Sequence, residues 1–313
     1  MTDCGERETR RLLLTRRLYR EQERVAAAFR TRAVAPLPDA ALVPDLDAAL
    51  LHHFPDAAGD PLRGAKAEAR RAAHTAATRP LALVVGGPGT GKTFSVTRLL
   101  ATLLAGATPH AAAPSGGELA IVLTAPTGKA TARMREAIRE ATAENARASL
   151  DVSPEVRARL RDLPAETIHK LVGVRPDGSC RHHREHPLAA DVVVVDEVSM
   201  VDLGLMRRLL DAVRPTARLV LLGDRDQLAS VDAGCVLAEL YEARDHALQG
   251  TVTTFTHSQR FAGAPDIGLV AASLQSYRTG HPDLAEHERP EERRAVAVRV
   301  MCEAEHATAE DVG

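Results

Sequence analysis

Short apolar runs alternate with amphipathic stretches through the middle of the chain. Each run has the length and composition of a buried strand in a parallel sheet, and the runs cover residues 81–85, 119–123, 192–195, 219–222 and 252–256. The stretches between them predict helices that end near residue 104 or cover residues 129–147 and 203–213. This alternation indicates an α/β fold in which helices cover both faces of a mostly parallel sheet.

The segment before this alternation has a helical pattern. Apolar residues recur there at roughly helical spacing, at Leu14, Leu18, Val25 and Phe29. They predict a helix over about residues 10–32. Residues 45–54 and 65–78 predict two more helices. We therefore expect residues 1–78 to form a small all-helical N-terminal subdomain.

The remaining boundaries follow from composition. Residues 79–280 contain the predicted sheet, with a small irregular insertion at about 150–190 that includes a Pro-Asp-Gly turn. Residues 281–313 form a charged tail with few large apolar side chains, which is typical of a poorly packed segment or of a truncated helix that lacks its partner.

Composition narrows the class of protein. The 313 residues are 45% hydrophobic, which is ordinary for a packed core, and the formal net charge of −2 means that any polyanion would be bound locally. No apolar run approaches the roughly 18 residues needed to span a membrane, and the first residues lack the apolar core of a signal peptide. Four scattered cysteines without a CxxC pair fit a reducing compartment. We expect a cytoplasmic protein.

A complete GxxxxGK[ST] phosphate-binding loop follows the first predicted strand. Its glycines let backbone N–H groups turn inward around phosphates, and the positive end of the next helix points at the same place. Lys92 is expected to reach the β- and γ-phosphates, and the Thr93 hydroxyl to bind Mg²⁺. The nucleotide-binding residues are predicted to be Gly86, Gly87, Pro88, Gly89, Thr90, Gly91, Lys92 and Thr93.

Two acids end the strand predicted over residues 192–195. Asp196 is placed to hold Mg²⁺ and Glu197 to orient and deprotonate an attacking water, which is an arrangement of hydrolases more than of kinases. The alternative is that the two acids simply mark the end of a strand. Gln227 follows the next predicted strand, at the edge where open α/β sheets bind ligands, and is a candidate sensor of the γ-phosphate.

Two further segments suit a nucleic-acid backbone. Thr124, Thr127 and Lys129 place hydroxyls and a cation where a strand becomes a helix, an arrangement that suits a phosphate. Taken alone, the segment is also an ordinary strand end and helix cap. His169 and Lys170 offer polar contacts as well, although an isolated histidine is more often structural.

The ordered motifs resemble those of superfamily 1 DNA helicases of the RecD type, the family of the RecD subunit of exodeoxyribonuclease V (RecBCD). The resemblance covers about residues 10–280 and is carried by GGPGTGKT, TAPTGKA, TIHKLVG, VVVVDEVSM, GDRDQLASVDAG and the segment Ser258-Gln-Arg260-Phe. It implies a RecA-like P-loop NTPase domain and an ATP-dependent DNA helicase that acts in recombination and double-strand break repair, with 5′-to-3′ polarity.

The resemblance also implies roles for individual residues. Lys92 and Thr93 would contact ATP and Mg²⁺, Asp196 and Glu197 the metal and the water, and Gln227 would couple nucleotide to DNA. Arg260 matches an arginine that reaches the γ-phosphate, and the positions that match contacts to single-stranded DNA are Thr124, Thr127, Lys129 and His169. The N-terminal helices resemble the part of RecD that docks on its partners, so RecB- and RecC-like subunits are expected partners.

Two departures from the family pattern change the expectation. There is no glutamine between Gln22 and Gln227, and Ala69 stands where an adenine-reading glutamine is expected, which puts adenine selectivity in doubt. The chain also stops soon after Arg260, so the second RecA-like domain of such motors, with its catalytic arginine, is expected to be missing. An arginine finger contributes about 10³ to 10⁵ in turnover in related reactions. We therefore expect ATP and DNA binding without unaided unwinding.

Two other interpretations remain open. The chain could be an ATP-binding assembly module of a recombination complex with little hydrolysis, or a P-loop ATPase or kinase without a nucleic-acid role, which leaves TAPTGKA and GDRDQL unexplained. The residues Cys180, His182, His183 and His186 could in principle hold Zn²⁺, but their spacing matches no paired-ligand pattern, and a solvated polar loop is the preferred interpretation.

Overall fold

A sheet of parallel strands forms the centre of the fold. The computed structural model describes residues 16–37, 43–55, 60, 62–106, 117–143, 150–224, 227 and 236–257. Within these residues the sheet has six strands: β1 (Leu81–Gly86), β2 (Ile121–Ala125), β3 (Ala165–Thr167), β4 (Val192–Val195), β5 (Arg218–Gly223) and β6 (Val252–Phe255).

The order of the strands across the sheet is β3-β2-β4-β5-β1-β6, and each neighbouring pair is parallel. The strand β5 therefore lies between β1 and β4, while β6 lies on the other side of β1. Because parallel strands all point the same way, the segments that follow them meet at one edge of the sheet. That edge carries the candidate functional residues.

Helices cover both faces of this sheet. In chain order the described helices are α1 (Arg16–Val34), α2 (Leu46–His53), α3 (Arg63–Thr78), α4 (Lys92–Gly106), α5 (Gly128–Ala141), α6 (Pro154–Arg161), α7 (Ile168–Val172), α8 (Leu203–Ala212) and α9 (Val236–Glu242). In this part of the chain, no helix combines the length and the apolar character needed to cross a bilayer.

Two hydrophobic cores lie on opposite faces of the sheet. Successive side chains of a strand point to opposite faces, so Val84 joins one core and Val85 the other. The first core contains residues of α2 to α6, for example Phe54 and Leu100, and the second contains residues of α1, α7, α8 and α9. The predicted α/β architecture with helices on both faces is confirmed.

The described N-terminal helices differ from the predicted arrangement. Phe29 of α1 belongs to the second core, whereas Leu50 of α2 and Ala69 of α3 belong to the first. Among the described residues of the segment 1–78, these helices therefore form no core of their own and complete the two layers of the sheet. The apolar faces that predicted the helices are buried against the sheet and its helices instead of against each other.

The segment 150–190, predicted as an irregular insertion, contains regular elements. Its first half contains α6, β3 and α7, and Leu160 and Ile168 are buried in the two cores. These three elements were not predicted because each is short, so none of them shows a sustained periodic pattern. In addition, α6 is rich in charged residues. The longest irregular stretch of this segment follows Val172.

A buried arginine joins α1 to the end of α8. The Arg32 guanidinium donates to the carbonyl oxygens of Val213 (2.6 Å), Arg214 (2.9 Å) and Ala217 (3.1 Å). These carbonyls lie in the connection between α8 and β5. Burial lowers the pKa of Arg32 to about 10, so the side chain remains charged at neutral pH. Arg32 thus fixes the N-terminal helix on the second face of the sheet.

We predict that Arg32→Met lowers the free energy of unfolding by about 2 to 3 kcal/mol, because it removes the charged, buried donor that the three carbonyl oxygens share. Urea unfolding monitored by circular dichroism measures this change. Arg30→Met is the matched control, since Arg30 is exposed on the same helix, and its effect should stay within about 0.5 kcal/mol. Equal effects of the two substitutions would contradict the assigned role of Arg32.

Candidate functional site

The phosphate-binding loop connects β1 to α4, as predicted. Gly89 and Gly91 have φ angles of 78° and 86°, in the left-handed region where a side chain would be strained. The Lys92 ammonium donates to the carbonyl oxygens of Gly86 (2.5 Å) and Gly87 (3.0 Å), and the Thr90 hydroxyl donates to that of Gly87 (2.8 Å). Lys92 is thereby held over the loop, beside the first turn of α4.

The acidic pair follows β4 at the same edge. The Asp196 carboxylate accepts a hydrogen bond from the Glu197 backbone N–H at 2.8 Å. Loss of water contacts raises the pKa of Asp196 to about 6, and the Glu197 charge raises it too, while the Glu197 amide and the charges of Lys92 and Arg133 lower it. The charges of Lys92 and Asp196 therefore interact, as expected if both belong to one site.

Glu197 has an unusual backbone conformation. Its φ of 55° and ψ of 42° are left-handed, which is uncommon for a residue with a side chain. A short turn that follows, Val198–Met200, fixes this conformation because the Met200 N–H donates to the Glu197 carbonyl oxygen at 3.0 Å. Such strained positions often occur at functional sites. The strain supports the choice of Glu197 as a candidate catalytic residue.

Gln227 follows β5, the strand that lies between β1 and β4. Its side-chain amide donates to the carboxylate of Asp224 at 3.4 Å, and Asp224 is buried directly after the strand. Sequence reasoning did not single out Asp224 or Arg133. Asp224 carries the same signal as Asp196, an acid that directly follows an apolar run, whereas nothing in the sequence distinguishes Arg133 from other helix-surface arginines. Arg260 and residues 228–235 lie outside the described part of the chain.

These residues can bind a nucleotide and a hard cation. The loop N–H groups and the start of α4 offer donors and a positive dipole to phosphates. Thr93, in the first turn of α4, and Asp196 supply the oxygen ligands that Mg²⁺ prefers. The donor set therefore fits a nucleoside triphosphate with Mg²⁺, and Glu197 stands next to Asp196 as the available base.

The predicted nucleic-acid residues lie further along the same edge, after β2 and β3. Thr127 caps α5 by accepting from the Ala130 N–H at 3.2 Å, and Thr167 caps α7 by accepting from the Lys170 N–H at 3.4 Å. Because Ala125 pairs with Thr167 across the strands, the two helix starts lie side by side. The exposed side chains at these starts are Lys129, His169 and Lys170.

Thr124 is buried, whereas a residue that contacts nucleic acid is expected to be exposed. Its side chain is buried, and its hydroxyl donates to the Glu166 carbonyl oxygen on β3 at 2.8 Å. Its carbonyl oxygen accepts from the Asp196 N–H on β4 at 2.9 Å. Thr124 thus joins three strands at the edge and does not present its hydroxyl to solvent.

The histidine-rich segment after α7 forms two small antiparallel turns. Val174 bridges to Cys180 and His183 to His186, and the rings of His182 and His186 stack with centroids 5.4 Å apart and planes at 9°. Within the described residues, no group of three histidines, cysteines or acids is arranged to hold a metal. The stacking of the His182 and His186 rings is thus a contact within the segment itself.

A buried carboxylate on α3 lies beside the end of β6. Glu68 accepts hydrogen bonds from the Thr256 hydroxyl (2.6 Å) and N–H (3.1 Å), and the His257 Nδ1 atom lies 2.9 Å from it. Burial alone would raise the pKa of Glu68, but these hydrogen bonds outweigh it and lower the pKa below its usual value. Sequence reasoning missed Glu68, since a single glutamate on an alanine-rich helix gives no signal of its partners.

Comparison with known proteins places this arrangement in a family. The AAA domain family matches residues 69–233. The chain is 44% identical over 269 residues to the RecBCD enzyme subunit RecD of Mycobacterium tuberculosis, covering 85% of this chain and 42% of that protein. It is 39% identical over 163 residues to the ATP-dependent RecD2 DNA helicase of Deinococcus radiodurans, covering 52% of this chain and 18% of that protein.

Among solved structures, the Pif1 helicase from Candida albicans is similar, with 17% identity and a TM-score of 0.38 over 67% of this chain and 44% of that one. The chain spans less than half the length of the relatives that it matches. The chain belongs to the AAA domain family, and the resemblance to RecD predicted from its motifs is confirmed.

Proposed function

We propose that this chain binds ATP and Mg²⁺, hydrolyses ATP, and links that cycle to the binding of single-stranded DNA, as a motor domain of a RecD-type helicase. One observation carries the proposal: Thr124 joins the two predicted sites. Its carbonyl oxygen binds the backbone of Asp196, and its hydroxyl binds the strand that leads to His169. A shift of the acidic pair can therefore reach the residues after β2 and β3 through one strand.

At the nucleotide site, the glycine-rich loop and Lys92 hold the phosphates, and Thr93 and Asp196 hold Mg²⁺. When bound, the metal neutralises charge on the phosphates. Glu197 orients the attacking water and accepts its proton, and Gln227 and Arg260 are assigned to the γ-phosphate. The Lys92 ammonium has to leave the loop carbonyls for the phosphates, which requires only a side-chain movement.

Further along the same edge, after β2 and β3, Thr127, Lys129 and His169 contact the DNA backbone. Two adjacent helix starts with exposed cations suit a row of phosphates, since backbone N–H groups and helix dipoles both attract anions. Thr124 supports these contacts from beneath. No base-specific group is required, because backbone contacts alone carry binding without sequence preference.

The names of the longer relatives indicate the assembly and the activity to which this chain would contribute. Relatives are named as a RecBCD enzyme subunit and as an ATP-dependent DNA helicase, and the chain spans 42% and 18% of two of them. We infer that 5′-to-3′ unwinding requires a second motor domain beyond these residues, since stepping needs two domains that close and open. RecB- and RecC-like subunits are the proposed partners, docked through the N-terminal helices, in the cytoplasm.

We predict that single-stranded DNA stimulates ATP hydrolysis by the purified chain, measured as steady-state phosphate release. Glu197→Gln should lower kcat by about 10² to 10⁴ while nucleotide binding persists, because it removes the general base. Lys92→Ala should weaken nucleotide binding by about tenfold or more, because a charge-assisted contact to the phosphates is lost.

Removal of Mg²⁺ with a chelator should abolish turnover, measured by the same release of phosphate.

Glu136→Gln is the control for Glu197→Gln, since Glu136 is an exposed glutamate on α5. A chain that binds ATP without DNA-stimulated turnover would contradict the motor function and favour the assembly module. A Glu197→Gln variant as active as the wild type would remove Glu197 from the mechanism.

We predict that Lys129→Ala weakens binding of single-stranded oligonucleotides to a similar extent for every sequence. It should also reduce the slope of log affinity against log salt by about 0.7, since one phosphate contact is lost. Fluorescence anisotropy over a salt series measures both quantities. Arg30→Ala, which removes an exposed cation from α1, should leave the slope unchanged. Equal slopes for wild type and Lys129→Ala would place the DNA elsewhere.

A further inference from the structure

The Glu68 cluster fixes the orientation of an imidazole beside the phosphate-binding loop. Glu68 is 4% exposed, and besides its bonds to Thr256 it is 3.4 Å from the His257 N–H and 2.9 Å from the His257 ring nitrogen Nδ1. A buried carboxylate with several donors has a fixed position, because breaking any bond would leave a buried charge less satisfied. The ring of His257 is therefore held in one orientation.

The same ring lies across a glycine of α3 and is open on its other side. A Cβ atom built on Gly64 would be 2.6 to 2.9 Å from Nε2, Cε1 and Cδ2 of His257, closer than side chains permit. The His257 side chain nevertheless remains 57% exposed. An aromatic ring that is backed by a backbone and oriented by a buried acid is a platform for a flat ligand.

The strand order sets the direction in which a bound nucleotide extends. The phosphate that is hydrolysed has to reach Asp196 and Glu197, beyond β5 on one side of β1. The nucleoside end then extends away from β4, toward β6, which pairs with β1 so that Phe255 lies opposite Gly86. His257 follows the end of β6, two residues beyond Phe255, and so lies on the side where the nucleoside is expected.

We propose that the His257 ring stacks on the base of the bound nucleotide and that Glu68 is the positioning residue that orients it. This inference rests on the proposed nucleotide site and names how that site holds the nucleoside. Ala69, at the position where a glutamine would read the edge of adenine, is fully buried and offers no hydrogen bond. Stacking uses the face of the base, which every purine presents.

The test compares two ligands that share phosphates and differ in the nucleoside, ADP and pyrophosphate, each with Mg²⁺. His257→Ala should weaken ADP binding by about fivefold or more and leave pyrophosphate binding within about twofold, because only ADP has a base to stack. His257→Phe keeps an aromatic face and should bind ADP within about threefold of the wild type. Isothermal titration calorimetry of the full chain measures these affinities.

Glu68→Gln should weaken ADP binding in the same direction, and the Glu68→Gln, His257→Ala double variant should bind ADP no more weakly than His257→Ala alone. This non-additivity separates positioning through His257 from a general loss of stability. His74→Ala is the control, since His74 is half-exposed on α3 about 15 Å along the helix from Gly64 and should change neither affinity.

The outcomes distinguish this inference from the proposed function. A wild-type chain that binds neither ligand would remove the nucleotide site and this inference with it. Equal weakening of ADP and pyrophosphate by His257→Ala, unchanged ADP binding in that variant, or a His257→Phe variant as weak as His257→Ala would overturn the stacking contact alone. Additive effects of Glu68→Gln and His257→Ala would overturn the positioning role of Glu68.

Discussion

The parallel pairing of neighbouring strands is the constraint on which the rest of the structure depends. Because each pair is parallel, the residues that follow β1, β4 and β5 meet at one edge of the sheet. The phosphate-binding loop, the acidic pair and Gln227 are distant in sequence and become neighbours only in this way. A slip of one residue in β4 would turn Asp196 to the opposite face and separate it from Lys92.

The two helical layers serve this edge from both sides. On one face α3 and α4 bury alanines and leucines against β1, and on the other α1 and α8 are joined by Arg32. The helices of the N-terminal segment are thus part of the scaffold that holds the phosphate-binding loop. The same packing carries Glu68 to the end of β6, so a helix that contributes mainly small apolar side chains also brings one charged group to the site.

Long periodic segments were predictable from the sequence, and short or partner-dependent features were not. The run of four valines before Asp196 allows only a buried strand, so both β4 and its acidic end were found. In contrast, β3 has three residues and α7 has five, and each is defined by pairing with β2 or by the Thr167 cap. The positions of Thr127, Lys129 and His169 after neighbouring strands were predictable, but the burial of Thr124 depends on β3 and could not be predicted.

The residues of the candidate site also divide into those with a local sequence pattern and those that depend on distant partners. The residue types of a phosphate-binding loop follow a fixed order, and the order of residues 86–93 was sufficient to predict the loop that connects β1 to α4. Glu68 acts through contacts with Thr256 and His257, which are distant in sequence, and no local pattern announces such contacts. The left-handed backbone of Glu197 likewise follows from the turn after it and is visible only in the structure.

In the proposed function, the nucleotide residues after β1 and β4 are coupled through β2 to the nucleic-acid residues after β2 and β3. This coupling can be measured as the affinity of Glu197→Gln for ATP with and without single-stranded DNA, and as its affinity for DNA with and without ATP. We expect the same factor in both directions, about fivefold or more, and a smaller factor once Thr124→Val removes the bond to β3. ATP and DNA that bind independently would contradict it.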